Sequence, residues 1–146
     1  MNSTVVNVLQ QLIANVYAIR ARTHHQHFAT TSYAQHMALG SFYEEVEEIL
    51  DDVIEAAIGQ GFPIDSVTGA TITFTLPSAD KASTVAVVSA FRDFVDEAIE
   101  TIEDSYEASN EEMNEASGDD YENLENEMLR FVQLSNQTIY KLQRLS

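Results

Sequence analysis

Cysteine is absent from the 146 residues. Disulfides, thiolate-bound zinc, iron–sulfur clusters and thiol catalysis are excluded together. Glycine (5) and proline (2) are scarce, which argues against an all-β fold with many turns and for long helices. Basic residues are few: 7 Lys and Arg stand against 24 Asp and Glu, a formal net charge of −17. A field of that sign repels DNA and anionic membrane surfaces and draws in cations. No uninterrupted apolar run approaches the length of a membrane span, so no membrane partner is expected. The opening residues MNSTVV lack a basic segment followed by an apolar run, so no signal peptide is expected and a cytoplasmic location fits. They also leave no room for a basic arm before the first periodic segment, which speaks against direct DNA binding. Hydrophobic residues make up 45%, enough for one core, and the length predicts a single domain over residues 1–146.

Apolar periodicity predicts four helices. The first covers about 3–28, with Val5, Val6, Leu9, Leu12, Ile13, Val16, Tyr17, Ile19 and Arg20 following a helical period; continuing that stripe brings His24 and His27 onto the same face. Ser32 followed by Gln35 reads as a capping box opening a second helix over about 33–59, with Tyr43, Val46, Ile49, Leu50, Val53, Ile54 and Ile58 inward. Gly59, Gly61, Pro63, Gly69 and Pro77 mark a long connection, inside which Ala70–Leu76 alternates like a short strand. A third helix is expected over about 81–116 and a fourth over about 120–145, separated by a stop and restart at Gly118 and Asp120. So long a connection is suited to travelling the length of a bundle and joining two helices that point the same way. Ferritin-like four-helix bundles have one such crossover, in the middle. The predicted fold is therefore all-α: a four-helix bundle with a long crossover between its second and third helices.

The chemistry is concentrated in residues 24–55. All four histidines lie there (His24, His25, His27 and His36), followed by Glu44, Glu45, Glu47, Glu48, Asp51, Asp52 and Glu55. Imidazole nitrogen and carboxylate oxygen together suit iron, manganese or zinc. Each feature also has a bland reading: a histidine held in the core, or an acidic strip that is only a solvated face. The fifteen carboxylates from Asp93 to Glu127, without one Lys or Arg among them, invite the same reading. Distance constrains the sharper one. His36 and Asp51 lie on one helix about 22 Å apart along its axis and cannot share an ion within a chain. His27 and His36 can converge at the turn between the first two helices, and Asp51 and Glu55, one turn apart, can share an ion. These two half-sites can meet if two copies of the second helix pack antiparallel about a two-fold axis, so the metal reading demands at least a dimer.

His27 before the aromatic Phe28, then His36 in the segment SYAQHMALGSFY, then Asp51 and Glu55 as D-x-x-x-E resemble the pattern of the Dps family of mini-ferritins, most closely the divergent Dps-like proteins of bacteriophages. The ending QTIYKLQRL is similar to the close of the last helix in the phage members. The resemblance implies a ferroxidase site shared between two subunits, with His27 and His36 from one and Asp51 and Glu55 from the other. Iron is the implied metal, other divalent ions being alternatives, and Fe(II) is oxidised by peroxide or oxygen. A twelve-subunit shell storing ferric mineral is the implied assembly. Three departures stand out. Gly40 occupies a position where the family has a carboxylate, with Glu44 one turn on as a substitute. Phe28 replaces the Trp that commonly follows the first histidine. The first interhelical turn is a few residues shorter than in most bacterial members. The alternative expectation is a phage structural or interaction protein on the same bundle without catalysis; a weaker one is an inert acidic bundle that binds basic partners.

Overall fold

The computed structural model of the protein describes residues 3–64, 81–110 and 118–144. These form four α-helices: α1 (Ser3–Ala29), α2 (Tyr33–Gly59), α3 (Lys81–Asn110) and α4 (Gly118–Arg144). Each helix packs on two others, α1 on α2 and α3, and α4 on α2 and α3. The diagonal pairs are therefore α1/α4 and α2/α3.

Hydrogen bonds between helices fix their directions. Gln26, near the end of α1, and Gln35, near the start of α2, both reach Thr84 near the start of α3. At the opposite end Tyr106 of α3 donates to Gln60 just beyond α2. Lys81 at the start of α3 donates to the Gln143 carbonyl at the end of α4. All adjacent pairs are thus antiparallel, and α2 and α3 run the same way across the diagonal. A 27-residue helix is about 40 Å long, so the chain between α2 and α3 must return that distance. This is the long-crossover connectivity anticipated above. The suggested strand at Ala70–Leu76 and the last turns expected of the third helix lie outside the described residues.

The core is one continuous cluster running through all four helices. At its centre Phe91 meets Phe42 and Phe131 edge-on, at ring-centroid distances of 6.3 and 5.7 Å. Phe42, Phe131, Leu124, Val46 and Val88 are fully enclosed. Burial on α2 begins earlier than the apolar stripe suggested, with Ala38, Leu39 and Phe42, whereas Tyr43 and Ile54 are half-buried and Ile58 is exposed. Tyr17 of α1 is likewise exposed.

The helix ends follow local chemistry. Ser32 caps α2 by accepting from the Gln35 N–H at 3.3 Å. The reciprocal half of the anticipated box is made differently: the Ser32 N–H donates to the Thr30 hydroxyl, and the Gln35 side chain turns inward. α2 closes in a Schellman motif, Phe62 N–H to the Ala57 carbonyl and Gly61 N–H to the Ile58 carbonyl. Gly61 supplies the required positive φ of 90°. α4 starts at Gly118, two residues before the expected position.

Candidate metal half-sites

The core-facing stripe of α1 continues past Ile19 not to His24 and His27 but to Thr23 and Gln26, both with no exposed surface. Polar identity hid these two positions from a hydrophobic count. Their donor groups are satisfied, while Gln26 Oε1 is buried and accepts no hydrogen bond among the described residues. Thr23 donates to the Ile19 carbonyl at 2.7 Å. The Gln26 and Gln35 amides both donate to the Thr84 hydroxyl oxygen, at 3.1 and 2.6 Å, and the Thr30 hydroxyl donates to Gln35 Oε1 at 3.0 Å. This network ties α1, α2 and α3 together at the end of the bundle beneath the histidines.

With Thr23 and Gln26 inward, His24 and His27 fall on the flank of α1 that faces α2, both half-buried, while His25 is exposed. His36 lies at the margin of the α2 stripe and is also half-buried. The structure brings His27 and His36 together. Their rings stack with centroids 3.7 Å apart and planes 21° from parallel. His27 Nδ1 lies 2.7 Å from the His36 carbonyl, and His36 Nδ1 lies 2.8 Å from the His27 carbonyl. A carbonyl oxygen only accepts, so both Nδ1 atoms carry the proton and donate. In neutral rings both Nε2 atoms then keep a lone pair. Metal-bound histidines characteristically show this arrangement, the far nitrogen donating to a carbonyl and so fixing tautomer and orientation. The same bonds have a structural use, because the His27 carbonyl belongs to the last turn of α1, where carbonyls lack helical partners.

Gly40 makes the stack possible. A Cβ built there would stand 3.1 Å from His27 Cε1 and 3.3 Å from His27 Nδ1. The edge of the imidazole occupies the space a side chain would need. The carboxylate that the resemblance leads one to expect at this position is thus not simply lost; His27, as placed here, crowds it out. Around the stack, Tyr43 lies 4.5 Å from His24 and 5.3 Å from His27 between ring centroids. Phe28 lies 4.7 Å from His24. Phe28, Tyr33 and Met37 are exposed, the largest exposure being 77% at Tyr33, so the histidine pair sits beside an apolar rim.

Asp51 and Glu55 lie on the exposed side of α2, one turn apart and remote from His36, as the spacing requires. Their acidic neighbours are engaged: Glu47 pairs with Arg20 at 3.1 Å, and Asp52 with Arg130 at 2.6 Å. Arg130 also pairs with Glu127 at 2.6 Å. Among the described residues, no ion pair engages Asp51 or Glu55. Nor does any group of three His, Asp or Glu side chains stand close enough to hold an ion. Within one copy of the chain the His27–His36 pair and the Asp51–Glu55 pair are thus separate. No helix among the described residues is long and apolar enough to cross a membrane.

The halves of the bundle differ in charge. All four histidines and six of the seven basic residues (Arg20, Arg22, Lys81, Arg92, Lys141 and Arg144) lie in the half of the bundle where α1 meets α2, while Arg130 is at mid-length. The carboxylates of α2, α3 and α4 crowd toward the other end.

A family model described as a family of unknown function (DUF5856) matches residues 27–142, and the chain belongs to that family. No curated protein and no solved structure matches the chain.

Proposed function

We propose that this protein binds ferrous iron at a site shared between two copies and oxidises it with peroxide or oxygen, in the manner of the Dps-like proteins it resembles. The observation that carries this reading is the reciprocal bonding of His27 and His36. It commits both Nδ1–H groups to main-chain carbonyls and leaves Nε2 as a metal donor. Asp51 and Glu55, without basic partners among the described residues, supply the anionic half from the second copy. An antiparallel pair of chains suits the charge distribution, because it sets the histidine-bearing, basic end of each copy beside the acidic half of the other. The exposed Phe28, Tyr33 and Met37 give such a contact an apolar component. Iron here is substrate and cargo: each ferrous ion gives up one electron and each peroxide accepts two. The resemblance extends the dimer to a twelve-subunit shell in which ferric product is held, and the cation-attracting surface favours entry of metal.

A second reading, a bundle that serves only in assembly or interaction, is favoured by the completeness of the clasp as a structural device and by Gly40. Anaerobic Fe(II) titration followed by peroxide, read by ferric absorbance, separates the two. Stoichiometric binding and fast oxidation, lost in His36→Ala combined with Asp51→Ala, support the ferroxidase reading. Binding no better than that of an acidic surface supports the other. Sedimentation of the same sample reports whether the particle is a dimer or a shell.

A further inference from the structure

Resting on that reading, we infer that the histidine stack binds one ion per chain through His36 alone, with His27 as a positioning residue that never ligates. An imidazole lone pair lies in the plane of its ring. The planes of His27 and His36 are 21° from parallel at a centroid spacing of 3.7 Å, so they do not converge within a metal–nitrogen bond length of about 2.1 Å. One ion cannot take both rings in this arrangement. Nor can either ring swing away freely, because each Nδ1 is anchored to the other residue's carbonyl.

The surroundings choose between them. His27 is boxed: the Nδ1–Cε1 edge rests on Gly40, Phe28 and Tyr43 stand edge-on at centroid distances of 5.5 and 5.3 Å, and His36 covers one face. Among the described residues His36 has one ring neighbour, His27 itself. Both rings are half-buried, and with fewer ring contacts His36 is the less enclosed of the two and His27 the platform. The donor count agrees: one imidazole with Asp51 and Glu55 of a second copy gives three protein ligands and two negative charges, which neutralise one divalent ion and leave open positions of the kind a reactive site keeps.

The test uses the full-length protein and Co(II), whose visible spectrum reports its ligand set, titrated anaerobically against wild type, His36→Asn, His27→Asn and His27→Ala. Asparagine keeps an N–H near the Nδ1 position and removes Nε2, so the clasp survives while one donor is deleted; equal urea midpoints for both asparagine variants confirm that. Wild type is expected to bind one Co(II) per chain, His36→Asn to lose saturable binding, and His27→Asn to keep both stoichiometry and spectrum. His27→Ala, which removes the N–H held by the His36 carbonyl, is expected to weaken binding about tenfold to a hundredfold, the range seen when a ligand's support is removed, with rescue by asparagine. Loss of binding in both asparagine variants, retention in His36→Asn, or two tightly held ions per chain overturns the inference while leaving a metal-binding protein. Absence of any saturable Co(II) binding in wild type overturns both the inference and the proposed function beneath it.

Discussion

His27 and His36 each donate a ring N–H to the main-chain carbonyl of the other, at 2.7 and 2.8 Å. The relationship joins the last turn of α1 to the first turn of α2 through two side chains nine residues apart in sequence. Two partly buried hydrogen bonds of this kind contribute about 1–3 kcal/mol together. Replacing His36 by alanine deletes one of the two, because the carbonyl that accepts from His27 stays, and should lower the unfolding free energy by about 0.5–1.5 kcal/mol in urea melts; His36→Asn should recover most of it. An alanine variant as stable as wild type would mean that the clasp holds nothing.

Gly40 gives a prediction with an unusual sign. Glycine to alanine inside a helix ordinarily stabilises by about 1 kcal/mol. Here the new methyl would meet His27 Cε1 at 3.1 Å, so Gly40→Ala is expected to be neutral or destabilising. In a His27→Ala background the same substitution should recover the ordinary gain. The interaction term of that double-mutant cycle isolates the contact.

Thr84 serves as acceptor for two buried amides, from Gln26 and Gln35. Thr84→Val keeps the shape and removes the acceptor, leaving two N–H groups in the core at a cost of about 1–3 kcal/mol each. Thr84→Ser should be much milder. Chemical denaturation of the pair distinguishes loss of the hydroxyl from loss of the methyl.

The phenol of Tyr121 is pushed well above its ordinary range, first by burial and then by the nearby carboxylates of Glu125 and Glu103. The folded protein therefore holds this proton at a pH where the unfolded chain, ionising near 10, has released it. Stability from this group is complete below pH 10 and falls as pH rises beyond it. Alkaline difference spectroscopy should find one tyrosine ionising only as the protein unfolds, and Tyr121→Phe should remove that tyrosine from the titration.

Particular residues show how far the sequence carried. Val5, Leu9, Leu12 and Val16 recur at helical spacing and are all buried, because repeated apolar contacts with neighbouring helices are what hold a helix in place. The parallel sense of α2 and α3 followed from the length of their connection. What periodicity could not reveal was the inward turn at Thr23 and Gln26. There the core is polar, and hydropathy places the stripe on His24 and His27 instead. The capping pattern at Ser32 and Gln35 identified the helix start but not the fate of the Gln35 side chain, because Thr84 lies 49 positions away. The pairing of His27 with His36 was readable from their places on either side of a short turn. The role of Gly40 was not, since the absence of a side chain gains meaning only when the ring filling the space is seen.

The composite site is tested most directly by complementation. His36→Ala and Asp51→Ala are each expected to abolish saturable Fe(II) binding and peroxide-driven oxidation on their own. Unfolded together and refolded as a mixture, they form dimers in which the intact histidine pair of one chain faces the intact carboxylates of the other. Random pairing at a two-fold interface then restores about a quarter of the wild-type sites. Recovery near that level, absent when either variant is refolded alone, is the expected result. No recovery, in a mixture shown to contain mixed dimers, would contradict a site shared between two copies of the chain.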